Sequence, residues 1–406
     1  MIKRILTSSV HSITSRLFIT ITNLFVIYFI SKNLSSADLG NYGIAFFFHI
    51  FFATISSFTL YLYYGKEFVR YQKGSSEESE LVNEFVTILI IGLGMTIVSP
   101  FLISLFYSKI NFGLIMLSCF AGYVLGIERN LGGFLLGKEK MPFESFSNFV
   151  SLTVTVVPML FFSVYFNSVE KIFFLRILSL LVAAALKFFY VRDMFNVKKL
   201  RFKFYSFKEI KYYCFTGISS SILREADVFI LSFFIDKSLL GGYFLALRIF
   251  YAFGNLAEVV SSALTPFISG YYSDRANGGF RRFNKYMLPV FMLFAIIFSI
   301  LLLVSRNIIL EAFSPANLIE SGKYLFFFSF FLFFRFMSFS TGIILTSADL
   351  QKTRFRIMFL ASMILIFLEI VLGSQFKIMG ILISRGIVEV FIFIVFGIFV
   401  NKLLKK

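Results

Sequence analysis

Long apolar stretches alternate with short polar connections along almost the whole chain. A helix needs about 20 mostly apolar residues to cross a bilayer, and twelve stretches of this sequence meet that requirement. Their bounds are 12–30, 41–65, 81–107, 111–137, 143–166, 170–191, 212–235, 240–270, 284–305, 324–347, 355–376 and 378–401. This pattern predicts an all-α integral membrane protein with about twelve transmembrane helices.

The cations of the polar connections are distributed unevenly between the two sides of the predicted membrane domain. Twelve spans put both termini on one side, and the connections on that side contain 24 Lys and Arg residues, against 7 on the other side. Short cytoplasmic loops are enriched in Lys and Arg. We therefore expect both the N-terminus and the C-terminus to be cytoplasmic.

A seven-residue motif occurs twice, at an offset of 201 residues. Residues 39–45 and 240–246 share the pattern LGxYxxA, and each copy follows an apolar run that ends in Phe-Ile and is followed by a lysine. A strongly basic connection at about 192–211 lies between the two copies. We predict two six-helix bundles, 1–200 and 201–406, related by a parallel repeat, as in transporters that move two bundles around a central site.

Composition excludes several classes of function. Charged residues make up 15% of the chain, whereas a soluble domain has about 25%. Two Cys and two His residues are too few for a disulfide framework or a zinc site, so no metal or other cofactor is predicted. The net charge of +17 is divided among short loops on one membrane face, so we expect contact with membrane lipids and not with nucleic acid.

No feature of the sequence indicates an enzyme. Residues 132–138 read GxxxxGK, but Glu139 stands where a phosphate-binding loop has Ser or Thr, and the segment ends an apolar helix. The longest outer loop, roughly 306–323, is too short for a catalytic domain. We predict a protein without catalytic activity.

Eight cations lie inside the predicted spans, where a charge costs roughly 2.5 to 3.5 kcal/mol on insertion scales. Lys187 and Arg129 lie close enough to a helix end to extend to the membrane surface. The other six must face acids, a wet cavity or an anionic ligand; they are Arg16, Arg176, Arg224, Arg248, Arg335 and Arg385. Because a guanidinium donates two parallel hydrogen bonds to a phosphate, these charges indicate an anionic, phosphate-bearing cargo.

Acidic residues offer ion pairs to some of these arginines. Arg385 and Glu389 are four residues apart on one helix face, and Arg224 lies three residues before Asp227. Ion pairing and anion binding are thus two alternative roles for these arginines. The candidate anion-binding residues are Arg16, Arg224, Arg248, Arg335 and Arg385, and the candidates for proton or sodium coupling are Glu128, Asp227, Glu258 and Glu369.

Two segments resemble a known family. Residues 35–42 read SSADLGNY, and the stretch from Asp227 through LGGY at 240–243 to Arg248 and Pro266 has an acid, an apolar run, GxYxxAxRI and LxP. Both are similar to the polysaccharide flippases, or O-antigen translocases, of the multidrug/oligosaccharidyl-lipid/polysaccharide (MOP) exporter superfamily. The resemblance implies export of an undecaprenyl-pyrophosphate-linked oligosaccharide, such as the O-antigen repeat unit of lipopolysaccharide, across the bacterial cytoplasmic (inner) membrane.

The resemblance also implies roles for individual residues. Flippases of this family are thought to hold the pyrophosphate on cavity arginines, and Arg16, Arg224 and Arg248 occupy the matching positions. We expect these three to face a common cavity. The implied partners are the lipid-linked oligosaccharide, membrane lipids and other polysaccharide assembly proteins.

Two other functions fit parts of the pattern. A cation-coupled multidrug antiporter would have the same architecture, but it binds apolar cations and favours acids over six deep arginines. A polysaccharide polymerase or ligase, the alternative among enzymes, would carry a large outer loop. The sequence therefore favours a flippase.

Overall fold

The computed structural model describes residues 2–70, 76–195, 207–273, 279–313, 318–348 and 350–405. In these ranges we number the α-helices α1 (Ile2–Asn33), α2 (Ser36–Ser57), α3 (Tyr61–Arg70), α4 (Ser76–Phe106), α5 (Phe112–Gly137), α6 (Met141–Phe161), α7 (Val169–Val191), α8 (Phe207–Leu231), α9 (Lys237–Ser273), α10 (Gly279–Phe313), α11 (Leu318–Ser347) and α12 (Gln351–Lys405). The described ranges contain no β-strand. The predicted all-α fold is confirmed.

Nine of the described helices are long and apolar enough to cross a membrane. One of them, Gln351–Leu403 within α12, has 53 residues. At 1.5 Å per residue this helix is about 80 Å long, more than twice the hydrocarbon core of a bilayer, so it provides two crossings. The apolar part of α1, Leu17–Asn33, and the more charged α8 coincide with the remaining two predicted spans.

The two crossings of α12 meet at a sharp turn. Lys377 has φ 52° and ψ −126°, a conformation that residues with a side chain rarely adopt. Three residues later, Gly380 touches the backbone of Leu372, where a Cβ atom would overlap the carbonyl oxygen. The two crossings can therefore lie against each other only with glycine at position 380. The turn falls at the predicted boundary between the last two spans.

The second predicted span is interrupted. α2 ends at Ser57 and α3 begins at Tyr61, because Phe58 and Thr59 have φ values of 52° and 54°. A break of this kind frees backbone carbonyl groups, which must find donors inside a membrane protein. Asn130 on α5 donates to the carbonyl oxygen of Ser57 at 2.9 Å, so the break is satisfied by a neighbouring helix.

The chain divides into two compact units. One, which we term the C-terminal unit, comprises Met1–Ile13, Ile27–Gly40 and Ala226–Lys406. The other, the N-terminal unit, comprises Thr14–Val26 and Asn41–Glu225.

Aromatic rings fill much of the interior of the N-terminal unit. The ring centroid of Phe134 on α5 lies 4.5 Å from that of Phe68, 4.8 Å from that of Tyr64 and 5.1 Å from that of Phe85. Lipid tails are as apolar as these side chains, so packing must hold membrane helices together. Ring pairs in tilted and edge-to-face contact each add about 0.5 to 1.5 kcal/mol. The contacts of Phe134 thus join α3, α4 and α5.

The glycines of the repeated LGxYxxA motif pack against backbone within the C-terminal unit. A Cβ atom on Gly40 would overlap the carbonyl oxygen of Lys237, and a Cβ atom on Gly241 would overlap that of Ser36. Each motif glycine therefore touches the residue that begins the helix of the other copy. This reciprocal contact explains why both copies carry glycine at the same place.

Candidate functional site

Three arginine side chains surround one tyrosine ring in the C-terminal unit. The guanidinium carbons of Arg248 (α9), Arg335 (α11) and Arg385 (α12) lie 5.7, 4.7 and 5.7 Å from the ring centroid of Tyr251. At about 6 Å or less, the face of an aromatic ring attracts a cation. The hydroxyl of Tyr251 also accepts a hydrogen bond from Nη1 of Arg385, at 2.7 Å. We term these four residues the Tyr251 cluster.

Two buried carboxylates bind the Tyr251 cluster from neighbouring helices. Asp227 at the end of α8 accepts from Nε of Arg385 at 2.5 Å and from its Nη2, a bidentate pair. Glu389 accepts from Nη1 of Arg335 at 2.8 Å and lies 3.9 Å from Nη1 of Arg385. Bidentate charge-assisted hydrogen bonds are among the strongest that a protein makes. Both carboxylate oxygens of Asp227 therefore accept hydrogen bonds from Arg385.

Glu369 is a further acid beside this pair. Its side chain is fully buried on α12 and interacts electrostatically with Asp227 and Arg385. Within the described part of the chain, no N–H or O–H group donates to either of its carboxyl oxygens. The carboxyl group of Glu369 lies beside that of Asp227. Asp227 also accepts a hydrogen bond from the hydroxyl of Tyr243 at 2.6 Å.

The structure brings together three of the five predicted anion-binding residues. Arg248 is 8% exposed, and its guanidinium carbon also lies 4.6 Å from the ring centroid of Phe244. Arg224 is half-buried on α8. The side chains of Arg16 and Glu258 lie outside the described residues. The common cavity expected for Arg16, Arg224 and Arg248 therefore stays a prediction.

The N-terminal unit contains a buried ion pair where a surface lysine was expected. Lys187 on α7 is 1% exposed, forms an ion pair with Glu128 on α5, and lies 3.9 Å from Oε1 of Glu144 on α6. The expectation that Lys187 extends to the membrane surface is wrong. The reason is that Lys187 contacts two acids on neighbouring helices. The spacing of residues within one helix cannot reveal such contacts.

Replacing Lys187 with Met should destabilise the fold by about 3 to 5 kcal/mol, because it leaves the Glu128 carboxylate buried without its cation. Thermal unfolding of the purified protein in detergent measures this loss. The double variant Lys187→Met with Glu128→Gln should recover most of the stability, because neither charge is then buried alone. An unchanged unfolding temperature for Lys187→Met by itself would contradict the prediction.

Sequence reasoning missed a second group in the N-terminal unit. Arg176 on α7 is 8% exposed; its Nε donates to Nε2 of His49 at 3.1 Å and its Nη2 to Oδ1 of Asn23 at 3.0 Å. His49 is thus the acceptor of this hydrogen bond, through Nε2. The guanidinium carbon lies 5.5 Å from the ring centroid of Phe46. Arg176 was recognised as a deep cation, but its partners lie on two other helices.

Comparisons with known proteins agree on the architecture. The profile of the MatE family matches residues 213–371. No curated protein matches the sequence. An inward-facing multidrug resistance MATE family transporter of the MOP superfamily has a TM-score of 0.74 at 15% identity, covering 95% of this chain and 96% of that one.

Two further structures are similar over nearly the whole chain. A MOP superfamily transporter from Pyrococcus furiosus, described as having a binding pocket of reverse polarity, has a TM-score of 0.72 at 14% identity and covers 100% of this chain and 96% of its own. The lipid II flippase MurJ, in an inward-closed conformation, has a TM-score of 0.68 at 18% identity, and the match covers 97% of this chain and 87% of the MurJ chain. The chain therefore has the multi-pass fold of the MOP superfamily transporters, with a MatE match in its second half.

Proposed function

We propose that the protein is an ion-coupled flippase that moves an anionic, undecaprenyl-pyrophosphate-linked oligosaccharide across the bacterial cytoplasmic membrane by alternating access. The observation that carries this proposal is the Tyr251 cluster. Three guanidinium groups within about 6 Å of one buried ring are costly in a membrane protein unless acids or an anionic ligand balance their charges. A pyrophosphate, with two adjacent phosphate groups, fits several planar guanidinium forks at once.

The three arginines differ in how they are held. Arg335 and Arg385 are bound to Glu389 and Asp227, so their charges are balanced by carboxylates. The guanidinium of Arg248 lies over the rings of Phe244 and Tyr251. A guanidinium has parallel N–H donors that fit a phosphate. By position Arg248 also matches a cavity arginine of the flippase family, so it is our principal candidate for the contact with the cargo.

Glu369 is our candidate for ion coupling. Two carboxyl groups that face each other in a buried site share one proton more readily than both ionise. With Arg385 already bound to Asp227, a proton on Glu369 would balance the charge and could be donated to Asp227. Loss of that proton would add a negative charge beside Arg385 and loosen its bond to Asp227. Protonation of this group would in this way alter the arginine cluster that contacts the cargo.

Multidrug export is the second candidate. The MatE profile and the MATE family transporter structure favour it over flipping of a lipid-linked sugar. The buried acids Asp227, Glu369 and Glu389 could attract an organic cation. In that case Arg248 would be a packing residue and not a binding residue.

One transport experiment discriminates between the two functions. The full-length protein is reconstituted into proteoliposomes, and two probes are offered separately: a fluorescent oligosaccharide linked to farnesyl pyrophosphate, and a fluorescent lipophilic cation. We expect protein-dependent movement of the pyrophosphate lipid, driven by a pH gradient, with no movement of a fluorescent phospholipid as the control for leakage. Accumulation of the cation without movement of the pyrophosphate lipid would overturn the flippase proposal in favour of drug export.

A further inference from the structure

One carboxylate oxygen lies between two guanidinium groups of the Tyr251 cluster. Oε1 of Glu389 accepts a hydrogen bond from Nη1 of Arg335 at 2.8 Å and lies 3.9 Å from Nη1 of Arg385. Glu389 and Arg385 are four residues apart on α12, a spacing at which side chains of one helix are neighbours. Arg335 belongs to α11. Glu389 therefore has one arginine within its own helix and one across a helix interface.

Arg385 can bind this oxygen without giving up another contact. A guanidinium has five N–H donors. Arg385 uses its Nε and one donor of Nη2 for Asp227, and one donor of Nη1 for the hydroxyl of Tyr251. Nη1 therefore keeps a second N–H group. To reach it, the carboxylate of Glu389 closes a gap of 3.9 Å to the length of a hydrogen bond, a movement of about 1 Å.

Arg335 is supported by aromatic rings as well as by Glu389. Its guanidinium carbon lies 5.6, 4.7 and 5.3 Å from the ring centroids of Phe250, Tyr251 and Phe339. Contacts of this kind attract a cation but do not neutralise its charge. If Glu389 moved to Arg385, the guanidinium of Arg335 would therefore keep its place and present an uncompensated positive charge.

Arg335 also has an unused donor. Its Nε is buried, and among the residues that the structure describes it donates to no acceptor. The side chain of Arg335 is 13% exposed and that of Arg385 is 2% exposed, so Arg335 is the more accessible of the two. The donors of one guanidinium fit two oxygens of a phosphate at once. A ligand with such oxygens would satisfy Nε and replace the carboxylate.

We propose that Arg335 is a second phosphate-binding residue and that Glu389 is a carboxylate latch, which holds Arg335 when no cargo is bound and shifts to Arg385 when the cargo arrives. The ligand, the pyrophosphate group of the cargo, rests on the proposed function. The exchange itself rests on the position of Oε1 between two guanidinium groups. A carboxylate and a phosphate oxygen compete for the same donors, because both accept hydrogen bonds from a cation.

The latch predicts that removing a carboxylate strengthens the binding of an anion. Binding of inorganic pyrophosphate and, separately, of farnesyl pyrophosphate to the full-length protein in detergent is measured by isothermal titration calorimetry. Glu389→Gln keeps the shape of the side chain but competes for Arg335 without a charge, so we expect it to bind pyrophosphate about ten-fold more tightly than the wild type. Arg335→Gln should bind about ten-fold or more weakly. A purely structural Glu389 would lower the unfolding temperature without tightening binding.

A double variant separates the latch from a general effect of charge. Removal of any acid near the cluster favours an anion, but the latch acts only through Arg335. Glu389→Gln should therefore give no gain in binding when Arg335→Gln is already present, and the same gain in that background would overturn the latch. Glu389→Asp keeps the charge beside Arg385 and shortens its reach toward Arg335. It should also tighten binding, and it replaces Glu389→Gln if that variant does not fold.

Glu311→Gln is the matched control, because it makes the same change at an exposed position of the C-terminal unit; it should bind pyrophosphate as the wild type does. A gain with both probes would assign the latch to the phosphate groups alone, and a gain with farnesyl pyrophosphate only would assign it to the lipid-linked group. If Arg248→Gln abolishes binding while Glu389→Gln and Arg335→Gln bind as the wild type does, the latch is refuted and the proposed function stands. If neither the wild type nor Glu389→Gln binds either probe, both proposals fail.

Discussion

Asp227→Asn should cause the largest loss of folded protein of any single substitution in the C-terminal unit. Arg385, which is 2% exposed, would keep its charge and lose the carboxylate that accepts from its Nε and Nη2. Breaking a buried ion pair on one side costs about 3 to 5 kcal/mol, a large fraction of a total stability of about 5 to 15 kcal/mol. Abundance in membranes and thermal unfolding in detergent should both fall sharply.

Glu369 must be controlled for in this experiment, because its carboxyl lies beside the same guanidinium and could replace Asp227. The comparison is therefore also made with Glu369→Gln present in both proteins. Removing the cation as well, in Asp227→Asn with Arg385→Met, should recover a substantial part of the stability. Normal folding of Asp227→Asn in the Glu369→Gln background would show that the pair is dispensable.

Arg248→Ala should abolish export of the surface polysaccharide while leaving the protein inserted in the membrane. A charge-assisted hydrogen bond is worth about 1.5 to 3 kcal/mol, so binding should weaken about ten-fold to more than a hundred-fold. Arg248→Lys should rescue only in part, because an ammonium has the charge but neither the two parallel donors of a guanidinium nor its planar group, which lies over the ring of Phe244. Surface polysaccharide is measured in cells with matched protein abundance.

Arg306→Ala serves as the control for Arg248→Ala. The guanidinium of Arg306 also lies over a ring, at 5.3 Å from the centroid of Phe326, but it belongs to a predicted outer connection. Its replacement should leave export unchanged. Wild-type amounts of surface polysaccharide in the Arg248→Ala strain would mean that this arginine is a packing residue, and the pyrophosphate proposal would then lose its principal contact.

The helices could be predicted from the sequence because apolar length is a local property. Burial in lipid requires about 20 apolar residues in a row, and even the turn at Lys377 falls between two such runs. The break after Ser57 could not be predicted in this way. Neither Phe58 nor Thr59 is a glycine or proline, and their positive φ values are imposed by packing, with Asn130 accommodating the freed carbonyl group.

The site could be predicted only in its parts. A deep arginine is visible in a sequence because it interrupts an apolar run, so Arg248, Arg335 and Arg385 were recognised. The ion pair of Arg385 with Glu389, which the spacing within one helix offers, is present at 3.9 Å. The shorter contacts were not predicted: Arg385 is bonded to Asp227, 158 residues away along the chain, and Glu389 is hydrogen-bonded to Arg335 at 2.8 Å. Helical spacing shows which side chains share a face, but the neighbouring helix determines the bond.

The tight turn at Lys377 has a consequence for how the protein is made. With Gly380 against Leu372, the last two crossings form a hairpin that packs upon itself and leaves almost no loop between them. Such a hairpin can enter the bilayer in one step, because its backbone groups are already satisfied and only a short tip must pass through the apolar core. The two ends of the hairpin, at Gln351 and Leu403, would then lie on the same side of the membrane.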